Sequence, residues 1–185
     1  MRGLLVVAVA AGVVAVRGAR DAPSLVPPER EPAALARLAA WDPPAPATAL
    51  GRAAARVWAA PMTLGGLALA AVTAGQWRRE GDLLVVESVR GPVGRLFARR
   101  GFSAATLGHV VVAVRPPEPE LLAHERSHTR QAERLGPLFG PLYLGLLAAY
   151  GYREHPLERA ARRSAHAHTV EDVPSRGLAR PQSSR

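Results

Sequence analysis

Apolar residues fall into several long runs along the chain, punctuated by Pro, Gly and Arg. Leu4 to Val16 is thirteen uncharged apolar residues after Arg2, the length of a signal-peptide core and short for a membrane span. Val57 to Gly75 is nineteen residues without a charge, with Arg52 and Arg56 before it, Arg78 and Arg79 after it, and Trp58 and Trp77 near its ends. That pattern predicts a transmembrane helix with interfacial anchors. The β-branched runs Asp82 to Glu87 and Thr106 to Val114, set apart by Gly91-Pro92 and Gly101, predict two or three strands. Leu135 to Tyr150 is uncharged over sixteen residues but broken by Gly136-Pro137 and Gly140-Pro141, and reads as a hydrophobic hairpin or interfacial helix. Asp21 to Thr48 is rich in Pro and Ala, a linker with at most a short helix from Pro32 to Trp41. From Ser164 onward the chain is polar and reads as a disordered tail. The expected organisation is a signal peptide or anchor over 1–20, a linker over 21–52, a transmembrane helix over 53–77, a folded domain over 80–163 and a tail over 164–185.

The folded region carries the chemistry. Pro116, Pro117 and Pro119 close an extended stretch, and Glu118 and Glu120 place negative charge at a helix start. Leu121, His124, Glu125, His128, Ala132 and Leu135 then recur at helical spacing, with Glu120, Arg126, Arg130, Glu133 and Arg134 on the other side. An amphipathic helix from about Pro119 to Leu135, ended by Gly136-Pro137, is predicted. Its inward face bears His124-Glu125-Arg126-Ser127-His128, an HExxH box. Residues four apart lie one above the other on a helix, so both imidazoles can reach one Zn²⁺ while Glu125 stands beside a water on that ion.

A zinc ion that keeps a position open for water needs a third protein ligand from a second element. Glu158 is the best candidate, since Pro156 suits a first helical turn and the residues after it are strong helix formers. Glu154 and His155 compete for the role, and Glu158 also has an ordinary reading as an ion pair with Arg162 four residues on. His109, on the second predicted strand, reads as packing or as lining of the substrate side. Donors for a developing oxyanion are sought among Tyr143, Tyr150, Tyr152, Arg153, His155 and His109, which the sequence does not rank.

The HERSH box followed by Glu158-Arg159-Ala160-Ala161 resembles the gluzincin-type zincin metallopeptidases, whose third ligand is a Glu in an E-x-x-A setting. A strand ending Thr-Leu-Gly-His-Val-Val and a Gly-Pro-Leu-rich segment after the box are similar to those of small bacterial membrane proteins of that kind. The resemblance spans about Arg90 to Arg163. It implies an α+β fold with a minimal zincin-like core, built from a short sheet, the HExxH helix and a third-ligand helix, behind N-terminal hydrophobic helices. It also implies His124, His128 and Glu158 as ligands to Zn²⁺ and Glu125 as general base of peptide hydrolysis. Two departures stand out: His155-Pro156 replaces the frequent Asn-Pro, and no Asp follows Ala161. The alternative is a non-catalytic membrane or interaction protein with a structural or vestigial metal site.

Composition adjusts this picture at its edges. The chain has 24 basic residues, all Arg, against 15 acidic ones, a net charge of +9, and contains no Cys, so disulfides and thiolate metal sites are excluded. The arginines are scattered and only three each of Phe, Tyr and Trp are present, so nucleic acid is not an expected partner. Membrane lipid and a peptide or protein substrate are. Arg78, Arg79, Arg90 and Arg95 after the apolar run outnumber Arg52 and Arg56 before it, which places the metal domain on the cytoplasmic side of a bacterial inner membrane.

Overall fold

The computed structural model describes residues 31–171; the expected signal or anchor over 1–20, the first part of the linker and the end of the tail lie outside them. The architecture is α+β, a mixed four-stranded sheet with helices on both faces. In chain order the elements are α1 (Ala33–Ala39), α2 (Ala49–Trp58), α3 (Ala60–Ala71), β1 (Ala74–Glu80), β2 (Leu83–Arg90), α4 (Gly91–Arg100), β3 (Ala104–Leu107) and β4 (Val110–Ala113). Then come α5 (Pro119–Leu135), a 3-10 turn (Gly136–Leu138), α6 (Phe139–Glu154) and α7 (Pro156–Glu171).

The sheet order is β1-β2-β4-β3, with β2 and β4 parallel and the two outer pairs antiparallel hairpins. Alternation along β2 and β4 sends Val86, Val110 and Val112 to a core shared with Leu69 and Ala70 of α3 and Phe97 of α4. Leu83, Val85 and Val111 face the other way, onto Leu122 of α5. Burial on both faces explains why these strands read as unbroken apolar runs in place of an alternating pattern. The run Thr106 to Val114 is therefore two strands: it folds back at Gly108-His109, so His109 sits in a hairpin turn and not on a strand.

The expected transmembrane helix over 53–77 is not one element. Pro61 has no N–H and its ring crowds the preceding turn, so the chain breaks at Ala59 and restarts as α3, which meets α2 at 63°. The rest of the run enters the sheet: β1, which the hydropathy pattern did not predict, begins at Ala74. Among the described residues no single helix is long and apolar enough to cross a membrane; the bent pair passes that test only when taken together.

Three other boundaries move. Helix α1 of the expected linker packs on α7, burying Ala39, and Glu31 pairs with Arg159 at 2.7 Å. The stretch after Gly91-Pro92 is helix α4 and not a turn. Helix α7 runs through Glu171, past the expected start of the tail, with Ser164 and Ala165 buried.

Two glycines make the joints around α6. Gly136 ends α5 at φ 55°, ψ −132°, and the ring of Trp58 lies where a side chain would stand, with Trp58 Nε1 donating to the Arg134 carbonyl at 3.2 Å. Gly151, at φ 65° and ψ 177°, kinks α6 and turns the chain toward His155 and the start of α7.

Candidate metal centre

Helix α5 has the bounds that its pattern predicts, and it stacks His124 and His128 on one side, their rings 4.8 Å apart at 84° and their Nε2 atoms 3.2 Å apart. The first turn of α7 brings Glu158 against both: Oε1 is 3.1 Å from His128 Nε2 and Oε2 is 3.3 Å from His124 Nε2. One donor atom from each of the three lies within 4.8 Å of the others. Glu158 is only 3% exposed, and its Oε2 is buried without a hydrogen-bond partner among the described residues. A buried carboxylate oxygen without a hydrogen bond, beside two imidazole nitrogens and with only Arg162 3.8 Å away, is costly, and a cation between these groups would remove that cost. Two imidazoles and one carboxylate suit zinc and neighbouring divalent ions.

Two of the three donors are held from behind. The His128 Nδ1–H donates to Gln131 Oε1 at 2.9 Å, which leaves Nε2 as the nitrogen offered to an ion, and Gln131 Nε2 donates to the Leu157 carbonyl at 3.3 Å. Tyr143 donates its phenol to Glu158 Oε1 at 2.6 Å. His155, one of the two rival ligands, points elsewhere: its Nε2–H donates to the Tyr143 carbonyl at 3.0 Å and its Nδ1 accepts the backbone N–H of Glu158 at 3.4 Å. It thus does at the start of α7 what an Asn or Asp side chain does at a helix N-terminus. Glu154, the other rival, is not part of the three-residue cluster.

The electrostatics follow from this packing. Burial would push the Glu158 carboxyl up, but the adjacent His128 and His124 imidazoles hold it well below the usual range. Burial would also keep His128 neutral, yet Glu158, with help from Glu125 and Gln131, raises it to about 9. Burial lowers His155 to about 4, so it stays a neutral acceptor. Burial and the Glu158 charge push Tyr143 well above 10, so it stays a donor.

Glu125 is buried beside the histidines, and its Oε2 accepts a hydrogen bond from Thr106 Oγ1 on β3 at 2.6 Å. His124, Glu125, His128, Tyr143 and Glu158 line one cavity of about 930 Å³, walled mainly by apolar side chains including Phe97, Phe102 and Leu107. Of the oxyanion candidates, Tyr143 and Tyr152 reach this cavity; Tyr150 packs in the helical core instead. Arg162 also lines it, 3.8 Å from Glu158 Oε2, so the expected ion pair exists, but as part of the centre and not on a solvated face.

His109 is far from this role. Its Nε2 lies 3.1 Å from Glu133 Oε1, and it lines a separate cavity of about 410 Å³. Glu133, expected on the solvent side of α5, is buried there and also accepts from Arg130 Nη1 at 2.9 Å, while Arg130 bonds Asp82 as well. Helix α5 is covered on more than one side, by the sheet and by α7, so polar residues off its apolar stripe are buried in pairs.

Thr106 and Gln131 were not singled out by sequence reasoning; Arg162 was named only as the ion-pair partner of Glu158, not as part of the centre. Gln131 had a signal, a polar residue three after His128 on the buried side of the helix. Thr106 had none, because its contact with Glu125 depends on the hairpin that the sequence did not reveal. Compared with family models, curated proteins and solved structures, the chain matches none of them.

Proposed function

We propose that this chain is a zinc-dependent peptidase of the gluzincin type, a reduced zincin-like core with Glu125 as general base. The observation that carries this reading is that His124, His128 and Glu158 converge in the same cavity as a buried Glu125 that is not one of the three donors. A Zn²⁺ ion held by the three donors supplies Lewis acidity, lowering the pKa of water and polarising a carbonyl. The Thr106 hydroxyl fixes Glu125 through Oε2, leaving Oε1 to take a proton from water and deliver it to the departing amine. Tyr143 and His155 hold the Glu158 side chain and backbone, so the cluster is set before substrate arrives. Strand β3 is a sheet edge and lines the cavity beside Glu125, so an extended peptide has backbone groups to pair with and apolar walls to receive its side chains.

One observation favours a structural metal instead: the donors join α5 to α7, so an ion would clamp two helices whatever else it did. Metal analysis with a casein or peptide-library assay separates the two. About one zinc per chain, lost in His124→Ala and Glu158→Ala but kept in Glu125→Gln, with hydrolysis falling at least about 100-fold in Glu125→Gln, is the expected result. Zinc whose removal unfolds the domain, without hydrolysis in the loaded wild type, would replace the peptidase by the scaffold.

A further inference from the structure

The bend between α2 and α3 leaves apolar residues facing outward with nothing described against them. Leu50 is 81% exposed, Val57 75% and Leu64 64%. Leu138, on the 3-10 turn that packs against both helices of the bend, is 63% exposed. No Asp or Glu occurs from Ala49 to Ala71; the charges there are Arg52 and Arg56. On α2 the stripe Leu50, Ala54, Val57 lies opposite Arg52 and Arg56, an amphipathic helix with no buried residue.

The bend also borders the second cavity. Arg56 and Arg79 line it together with Leu64 and Leu67, pairing guanidinium groups with an apolar wall. Among the described residues Arg56 has no acidic partner, and Arg79 donates only to the Gly81 carbonyl at 3.1 Å. Asp82 lines the same cavity but is engaged by Arg130, with Arg126 Nε 3.8 Å away.

We propose that the α2–α3 bend, with the 3-10 turn beneath it, docks into the interface of an anionic bilayer and lies along it, Arg56 and Arg79 taking lipid phosphates. Charge complementarity selects this occupant: exposed apolar residues interleaved with cations alone, on a chain of net charge +9, match anionic headgroups over acyl chains. Two features favour lying along the bilayer over crossing it, although the bent pair taken together is long enough to span. Ten and twelve residues span about 15 and 18 Å at 1.5 Å per residue, against a core of about 30 Å. The inner side of α3, with Leu69 and Ala70, is also committed to the sheet core and cannot turn to lipid. The docking stands independently of the peptidase reading.

Because the chain has no Cys, single spin labels can be placed by Val57→Cys, Leu64→Cys and Leu138→Cys in the full chain, with Ala98→Cys on the exposed side of α4 as control. On phosphatidylcholine vesicles containing phosphatidylglycerol, the first three labels should be oxygen-accessible at one shared shallow depth of about 5–10 Å, and the control should stay in water. Partitioning should drop on pure phosphatidylcholine, and Arg56→Gln and Arg79→Gln should each lower the partition coefficient on anionic vesicles about fivefold. His124→Ala should change none of this. Labels at 57 and 64 lying at clearly different depths, one near the bilayer centre, would overturn the proposal in favour of a crossing span. Labels that remain in water would overturn it in favour of a protein partner on this face. Insertion indifferent to anionic lipid would remove the role given to the arginines.

Discussion

Tyr143→Phe is the most informative single change to the centre. The phenol of Tyr143 donates to Glu158 Oε1 at 2.6 Å, in a site where Glu158 Oε2 has no hydrogen-bond partner of its own. The ring itself packs 4.3 Å from His155 and 5.8 Å from Phe139, centre to centre, and Phe keeps those contacts. The substitution therefore removes one hydrogen bond to a buried carboxylate and little else. Such a bond contributes about 1.5–3 kcal/mol, roughly twice a neutral one. With a urea slope of about 2 kcal/mol per M, a loss of about 2 kcal/mol lowers the midpoint by about 1 M. The assay is urea unfolding of metal-stripped protein in mild detergent, followed by Trp fluorescence, for wild type, Tyr143→Phe, Glu158→Ala and the double variant. In the Glu158→Ala background the acceptor is gone, so Tyr143→Phe should cost nothing or stabilise slightly. A loss below about 0.5 kcal/mol in the wild-type background, or an equal loss in both, would refute the pairing.

Two further expectations concern the supports of the centre. His155→Asn should keep the cap on α7 and retain zinc, whereas His155→Leu should lose about 1 kcal/mol of stability and weaken zinc binding about 10-fold or more, read by competition with a chromophoric chelator. Glu133→Ala should destabilise by about 3 kcal/mol, because Arg130 and His109 lose a buried partner, while zinc content stays unchanged. Arg130 and His109 outweigh burial and hold the Glu133 carboxyl below its ordinary value. Its contribution is present above the unfolded pKa and is lost as pH falls through the lower folded value, so Glu133→Ala should flatten the acid side of a stability-versus-pH curve.

The parts of the molecule that were legible are those where local pattern and final environment agree. Helix α5 has its own start, apolar period and Gly stop, and HExxH spacing is a property of the helix alone, so His124 and His128 follow without knowledge of the fold. Glu158 follows from Pro156 and helix-forming neighbours. The α2–α3 region misled because hydropathy counts apolar residues without regard to Pro61, and a run that is buried by a sheet on one side looks like one surrounded by lipid. The hairpin at Gly108-His109 hid inside a continuous β-branched run for a related reason: both faces of β4 are buried, so no alternation marks where one strand ends. His109 and Glu133 could not be paired in advance, since their contact joins a turn to a helix 24 residues away.

The three donors all come from one contiguous stretch, residues 124 to 158, folded as helix, kinked helix and helix. Thr106, which bonds Glu125, and Phe97 and Phe102, which wall the same cavity, come from earlier in the chain. On the peptidase reading, the donors and the general base share one length of sequence, while the residues that position the base and wall the cavity come from an earlier one. On that reading, damage to Thr106 should leave a centre that holds its ion but works poorly, whereas loss of Glu158 should empty it. If the reading holds, a descendant of this chain could lose hydrolysis through the first segment alone and keep the second as a helical pair joined by its ion.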